Sequence, residues 1–524
     1  MSQRISHLVI LGAGSAGWLA ALCARAHFPE LKITVIGSTE IGIIGAGEGT
    51  VPFIHTFLNK INLSSTDIIK NCKGTQKLAI KYVDWSNKKT FDNLNNSYYY
   101  HAFKVGGFGH NPTTLGMFPH LSEIVDMKAI INNERLDMYN LEDYLCENNK
   151  SSFSEKKFGQ ETFKDALQFD ANLLAAYLKP ISQMRNIIYV DDVIENFDLT
   201  ENGDIKTIIC KNKTIDCDFV FDCTGFKRLV TGKLYKTKWI SLKNRLPVKK
   251  AMPFFLPPEK YEPYTTAAAM KFGWVWKIPL QHRSGCGYVF DSDLCDEESA
   301  YNELKEKFGK VDIIRTIDFD AGFYEKAWIN NTISFGLSSG FVEPLEATSL
   351  MTTMYTLIEA MRLLSVNHKD KNIINTFNNY FVSSWNQVAD FVQFHYLTNR
   401  DDTEFWRRVN SAEKSESLIH ILDCFKISTP QVFFRELDRM YRYYPNAFGV
   451  YSWLRVGLGI NIFPKKMLES QIENMRKYSL SNDMTIVKTA VEEASKQYTT
   501  HEEYLSNIVG KETFVQNKNS IFNI

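Results

Sequence analysis

The first residues able to do chemistry are glycines. Gly12-Ala13-Gly14-Ser15-Ala16-Gly17 follows the apolar run His7–Leu11, precedes a helical pattern through about Ala26, and is followed by a second strand pattern at Leu31–Ile36. G-x-G-x-x-G at a strand-to-helix junction is the dinucleotide fingerprint. One glycine makes the tight turn, one lets the backbone approach a pyrophosphate, and one lets helix and strand pack closely. The free N–H groups of the helix start then face the phosphates. Without a ligand the same residues are a plain glycine turn. The fingerprint expects an acid at the end of the second strand for the ribose hydroxyls. Here Gly37 and Ser38 follow Ile36, with Glu40 beyond, so Ser38 is the candidate for that hydrogen bond. Further glycine loops are Gly45–Pro52, with Gly47, Glu48, Gly49 and Thr50, then Asp222–Phe226 after a strand Phe219–Phe221, and Gly336–Gly340 after a strand Thr332–Phe335. Several backbone-exposing loops suit an extended cofactor such as FAD better than NAD. The expected FAD contacts are Gly12 through Gly17, Ser38, Gly47, Glu48, Gly49, Thr50, Val193 and Leu337.

A second kind of site is an anion pocket. Thr348-Ser349 stands where a loop enters a helical pattern near Leu350. Ser and Thr favour N-caps, and a helix start offers N–H donors and partial positive charge. A halide fits there, and so does a cap with no ligand. Trp274 and Trp276, two apart in a strand pattern, share one face. On pattern alone they read as a bulky wall or as ordinary core aromatics.

The elements that must hold these residues read as α/β. The opening is βαβ, short strands read at Ile187–Val193, Ile205–Cys210 and Asp218–Asp222, and Phe163–Tyr177 reads as a helix. Residues 250–320 alternate as an antiparallel sheet, at Ala251–Phe255, Gly273–Ile278 and Gly287–Phe290. Residues 85–160 are polar and broken, with a loop at Asn93–Asn96, and the pattern beyond Leu350 is mainly helical. The expected architecture is a Rossmann-like FAD-binding body over 1–350, with an inserted segment at about 85–160 and a sheet at about 245–325. A mainly helical substrate-side module over 351–524 completes it. With 524 residues, 60 Lys+Arg against 60 Asp+Glu and 9 cysteines without a C-x-x-C, the composition disfavours nucleic acid, membrane, disulfide frameworks and metal sites. Leu8–Ala24 is apolar enough to suggest a targeting segment, but its glycines belong to the fingerprint, so a cytoplasmic protein is expected. A homo-oligomer is compatible with this composition.

Over most of its length, to about residue 465, the sequence resembles the flavin-dependent halogenases of the tryptophan halogenase family. The resemblance rests on Gly12–Gly17 with Trp18 directly after it, on Gly45–Pro52, and on Gly273-Trp274-Val275-Trp276-Lys277-Ile278-Pro279, which matches W-x-W-x-I-P. It also rests on Phe341–Ser349, similar to F-x-E-P-L-E-S-T, on Lys77–Trp85, on His395-Tyr396 and on Phe405-Trp406. The resemblance implies a reaction. FADH2 from a separate reductase reacts with O2 to a flavin hydroperoxide, halide attacks it to give hypohalous acid, and this travels through a tunnel to an essential lysine that halogenates an electron-rich arene.

By resemblance that lysine is Lys77, with Glu346 either accepting the ring proton, orienting the lysine, or serving only as an ion-pair residue. The halide site is Thr348 and Ser349. The substrate pocket is His101, Phe103, Trp274, Trp276, Tyr443, Tyr444 and Trp453. A desolvated lysine would act through its free amine and a charged one only as a hydrogen-bond donor. Strand alternation puts Lys77 and Ala79 on one face, with Leu78 and Ile80 on the other, and Lys73 and Lys81 read as surface lysines. Three departures matter. Ala102 stands for the usual Pro, and Ala347 for the usual Ser, which suggests that bromide or iodide is accepted besides chloride. Val450 stands where free-tryptophan enzymes carry Glu, with no acid between Asp438 and Glu469. A buried ammonium there would lack a local counter-charge, so an indole or phenol is expected rather than tryptophan. The alternatives are a flavin-dependent monooxygenase, with the substrate reaching the flavin directly, and a non-catalytic flavin-binding protein.

Overall fold

The computed structural model describes residues 5–40, 48–86, 98–103, 119–154, 165–258, 260–430, 433, 448–476 and 484–510. The chain forms two compact units, each stitched from separate segments. The first comprises 1–74, 169–243 and 320–388, and the second 75–168, 244–319 and 389–524. The segments of the two units therefore interleave along the chain. No helix among the described residues is long and apolar enough to cross a membrane.

The first unit carries the glycine fingerprint on a six-stranded sheet. Its order is Trp328–Ile329, Thr332–Ser334, Phe219–Asp222, His7–Leu11, Lys32–Gly37, Ile187–Asp191. All neighbours run parallel except the first pair. His7–Leu11 lies inside this sheet and is buried from Leu8 onward, as an apolar run covered on both faces must be. The helices Ser15–His27, Ala171–Met184 and Thr348–Leu364 pack in the same unit.

The second unit is dominated by a seven-stranded sheet ordered Ile317–Asp318, Lys250–Leu256, Ser284–Phe290, Gly273–Pro279, Tyr264–Ala269, Ala79–Val83, Tyr98–Ala102. Every neighbouring pair is antiparallel except Tyr264–Ala269 with Ala79–Val83. Trp276 is the direct register partner of Gly287 on the neighbouring strand. A Cβ at Gly287 would meet the Trp276 ring at 2.1 Å, so the indole lies flat over that glycine.

Two local expectations are corrected. The helix expected at Phe163–Tyr177 is a strand Ala166–Phe169 followed by a helix Ala171–Met184. Asp170 separates them, because its carboxylate accepts the N–H groups of Asn172 and Leu173 and starts the helix there. The strand around Lys77 also breaks. Thr75–Lys77 pairs with Ala166–Phe169, while Ala79–Val83 joins the large sheet, with Leu78 at the joint. Alternation therefore does not carry across Leu78, and both flanks of the joint are buried. The loop at Asn93–Asn96 lies outside the described residues.

Candidate active site

In the first unit the fingerprint has the geometry of a dinucleotide cradle. Gly12 sits at φ 105°, and a Cβ there would lie 2.2 Å from the Cys223 carbonyl oxygen. A Cβ at Gly17 would lie 1.9 Å from the Gly12 carbonyl oxygen. At Gly14 and Gly225, by contrast, a Cβ would meet nothing within 4 Å. Two glycines thus close the turn, and two face no neighbour among the described residues. The helix Ser15–His27 starts from Gly14 with no side-chain cap, which leaves first-turn N–H groups for a ligand. Ala13 and Ala16, half-buried, keep the same turn narrow. These features fit FAD, whose pyrophosphate needs backbone donors and close approach.

Other expected cofactor residues are placed unevenly. Glu48 receives a hydrogen bond from the Ser15 hydroxyl at 3.4 Å, and desolvation pushes its carboxyl up to about 7 despite that bond. Thr50 is fully buried and Gly49 half-buried. Gly47 lies outside the described residues. The Ser38 hydroxyl accepts the Glu40 N–H at 3.2 Å. Val193 uses both backbone groups locally, with its N–H on Asp192 and its carbonyl on Lys211. Leu337, half-buried in the turn Gly336–Ser338, accepts from Arg228 Nε at 3.4 Å.

The sequence reading missed Asp191. It ends the strand beside Lys32–Gly37, opposite Gly37, and accepts both the N–H and the hydroxyl of Thr39 at 2.9 Å. Those bonds hold its carboxyl below the usual range. An acid thus stands beside Gly37 at the end of the neighbouring strand, a relation that only strand pairing reveals.

The proposed halide loop is in the first unit. The chain reaches the helix Thr348–Leu364 through a tight turn Leu345–Ala347, with Glu346 at φ 64° and Ala347 at φ 53°. Two successive non-glycine residues in the left-handed region are strained, which is common at functional sites. This corrects the expected cap. Ala347 is the N-cap, Thr348 already belongs to the helix, and no side chain caps it. Thr348 is 1% exposed, and its hydroxyl has no hydrogen-bond partner among the described residues. An orphaned buried hydroxyl beside an uncapped helix start fits an anion. Ser349, half-buried beside it, accepts the Thr353 hydroxyl on its carbonyl at 2.8 Å. Glu346 is buried at 2% exposure.

In the second unit Lys77 is 1% exposed, and its Nζ lies 5.3 Å from the Phe103 ring centroid. His101 neighbours the Phe103 ring at 6.4 Å and the Phe391 ring at 5.6 Å. Phe391 in turn meets Trp453 at 5.0 Å and His395 at 4.8 Å. A buried amine thus neighbours a run of aromatic rings built from three distant stretches of chain. Phe391 at its centre was missed, because it is one aromatic among many in a long helix, Lys371–His395. Tyr443 and Tyr444 lie outside the described residues.

Trp274 and Trp276 pair on one face with ring centroids 6.4 Å apart. Trp274 Nε1 donates to the Tyr396 hydroxyl at 2.9 Å, and its ring neighbours Trp85 at 6.2 Å. Both indoles are locked. Lys81 is no surface lysine. Its Nζ sits over the Tyr98 ring at 3.8 Å and pairs with Glu147 at 3.2 Å.

Residues 7–474 match the tryptophan halogenase family. The chain belongs to that family. As a member it is an enzyme, a flavin-dependent halogenase. The tryptophan 6-halogenase SttH of Streptomyces toxytricini is 27% identical over 482 residues, spanning 86% of this chain and 88% of that protein. The structure of Xcc4156, a flavin-dependent halogenase from Xanthomonas campestris, is 25% identical with a TM-score of 0.82, covering 97% of this chain and 99% of its own. That of BrvH, a flavin-dependent halogenase from Brevundimonas sp. BAL3, is 26% identical with a TM-score of 0.80, covering 96% and 99%.

One feature of the halogenase chain lay beyond motif reading. Arg455, fully buried in the helix Val450–Gly459, pairs with Asp143 and, at 3.4 Å, with Asp126. Burial pushes Asp143 up to about 8 despite the guanidinium. The segment 439–468, acid-free in sequence, therefore receives its carboxylates from elements over 300 residues away.

Proposed function

We propose that this halogenase transfers an electrophilic halogen to an electron-rich indole or phenol at Lys77, using FADH2 from a separate reductase, O2 and a halide. The observation that carries the reading is the buried Lys77 amine facing Phe103, with His101, Phe391 and Trp453 beyond. A desolvated amine beside an aromatic wall suits a group that must hold an electrophile away from water and present it to a flat ring. When bound, the flavin supplies the reducing equivalents with which O2 is turned into an oxidant for halide.

The halide's proposed seat is the helix start at Thr348 and Ser349, where N–H donors and the unpartnered Thr348 hydroxyl favour an anion. Glu346, buried and held in a strained turn, is the proposed acceptor of the ring proton after halogen addition. Trp274 and Trp276, locked in their strand, serve as a rigid wall that keeps the arene from the oxidant's source. Ala347 carries no hydroxyl beside the one on Thr348, so the helix start is less polar than with Ser there, which supports use of bromide and iodide besides chloride. Val450 supports an arene other than free tryptophan, although the relative from Streptomyces toxytricini is a tryptophan 6-halogenase.

The test is mass spectrometry of an indole and phenol panel, with tryptophan included, incubated with the protein, a flavin reductase, O2 and bromide. Brominated indole or phenol is expected. Tryptophan as the best substrate overturns the substrate class, and oxygenated products in place of brominated ones overturn the reaction. Competition among chloride, bromide and iodide tests the halide range, which strict chloride use would overturn.

A further inference from the structure

The family match ends at residue 474, yet the chain continues through a helix Met484–Ser495, a strand Tyr498–Thr500 and a helix His501–Val509. This segment is fastened within the second unit. Tyr498–Thr500 pairs antiparallel with Lys150–Ser154, and Lys150 Nζ donates to the Ser495 and Tyr498 carbonyls, each at 2.9 Å. Thr500 caps the last helix by accepting the Glu503 N–H at 3.2 Å. Leu505 and Val509 are buried beneath it.

His501, the first residue of that helix, is fully buried and bonded through both ring nitrogens. Nδ1 lies 2.7 Å from the Tyr261 carbonyl oxygen, and Nε2 lies 3.1 Å from the backbone nitrogen of Gln76. A carbonyl only accepts and an amide N–H only donates, so the proton is on Nδ1 and the ring is neutral. Burial acts in the same sense, lowering the imidazole to about 4.

Gln76 immediately precedes Lys77 and is gripped throughout. Its Nε2 donates to Asp165 at 2.9 Å and to the Ser152 hydroxyl at 2.8 Å, and its Oε1 accepts the Ser152 N–H at 3.2 Å. Its carbonyl accepts from Gln168 Nε2 at 3.2 Å. On the other side of the lysine, the Leu78 N–H donates to the Pro263 carbonyl at 2.7 Å. Lys77 is thus bracketed by two bonds that end on one short stretch, Tyr261–Pro263. One is direct from Leu78, and the other runs from Gln76 through His501.

We propose that His501 is a positioning residue for Lys77: the C-terminal segment inserts its neutral imidazole between the Gln76 amide and the Tyr261 carbonyl and so fixes the backbone that aims the amine. The proposal rests on Lys77 carrying the halogen. Lysine has four side-chain torsions, so its amine is placed only as well as its backbone is held. A misplacement of about 1 Å at a reacting group lowers turnover by about 100-fold. Without the imidazole the buried Gln76 N–H loses its acceptor, and the strand end must shift to find another.

The experiment uses full-length His501→Phe and His501→Gln proteins with a flavin reductase, O2, bromide and indole, reading brominated product against FADH2 consumed. Phe keeps the ring and loses the acceptor, whereas Gln returns an acceptor toward the Gln76 N–H. In His501→Phe, product per FADH2 is expected to fall about 10- to 100-fold while FADH2 consumption holds, with His501→Gln recovering most of the loss. Wild-type coupling in His501→Phe overturns the proposal, and so does a loss that Gln leaves untouched. Lys77→Ala in parallel separates the two readings. If it still brominates, the role of Lys77 has failed; if it does not and His501→Phe does, positioning alone has failed. Should His501→Phe not fold, hydrogen exchange on the wild-type chain decides. The Gln76 amide is expected among the slowest to exchange, and exchange at a surface rate overturns the proposal.

Discussion

Around Gly12–Gly17 the geometry is set by the backbone, and side chains matter by their absence. A single methyl at Gly17 would lie 1.9 Å from a carbonyl oxygen. Around Lys77 the reverse holds. The backbone is consumed in strand pairing and in bonds to His501 and Pro263, and the working surface is amine, imidazole and aromatic rings. The cradle is local, six residues and the loops beside them. The surroundings of Lys77 draw on residues near 77, 101, 391 and 453, with a brace at 501. A backbone site is specified by conformation, so it tolerates little change in size. A side-chain site is specified by placement, so it fails when distant supports move.

Substitutions test that contrast. Lys77→Ala should reduce brominated product by about 100- to 10,000-fold while leaving FADH2 oxidation within about twofold, measured by chromatography and absorbance on one sample. Equal loss of both would mean that the two regions do not divide the work. Gly17→Val should cost about 3 kcal/mol through overpacking and abolish flavin retention, read from thermal melts and bound-flavin absorbance. Retained flavin would show that the turn can open.

Acid should strike the brace. The folded chain holds His501 near 4, against 6.5 when unfolded, so between those values the unfolded chain binds a proton that the folded chain refuses. Its contribution is complete above pH 6.5 and is lost as pH falls toward 4, by roughly 3 kcal/mol in all. Asp165 opposes this in part. Urea midpoints at pH 7 and 4.5 should differ more for wild type than for His501→Gln, and equal differences would exclude His501 as the source. The smallest effect is expected at Thr348→Val. Stability should stay within about 1 kcal/mol, because the hydroxyl has no partner to lose, while the KM for bromide rises about 3- to 10-fold. An unchanged KM would remove Thr348 from the halide site.

Legibility followed the same division. The cradle was readable because its glycines are consecutive and each answers a steric demand of a few neighbouring atoms. Even there Asp191 escaped notice, since it becomes the acid beside Gly37 only when Ile187–Asp191 pairs with Lys32–Gly37. Around Lys77, resemblance pointed to Lys77, His101, Phe103 and Trp453, but no spacing in the chain singles out Phe391 or His501.

The sequence by itself determined the βαβ opening, the glycine turn, the strand carrying Trp274 and Trp276, and the helix after Thr348, because these depend on periodicity and on contacts between near neighbours. Tertiary structure alone decided that Leu78 breaks the strand, that Ala347 rather than Thr348 caps the helix, and that Asp126 and Asp143 face Arg455. It also decided that a histidine 425 positions away braces Gln76. Such relations depend on which distant groups share a desolvated volume, where each buried donor needs an acceptor and each charge a partner, and no local pattern encodes that pairing.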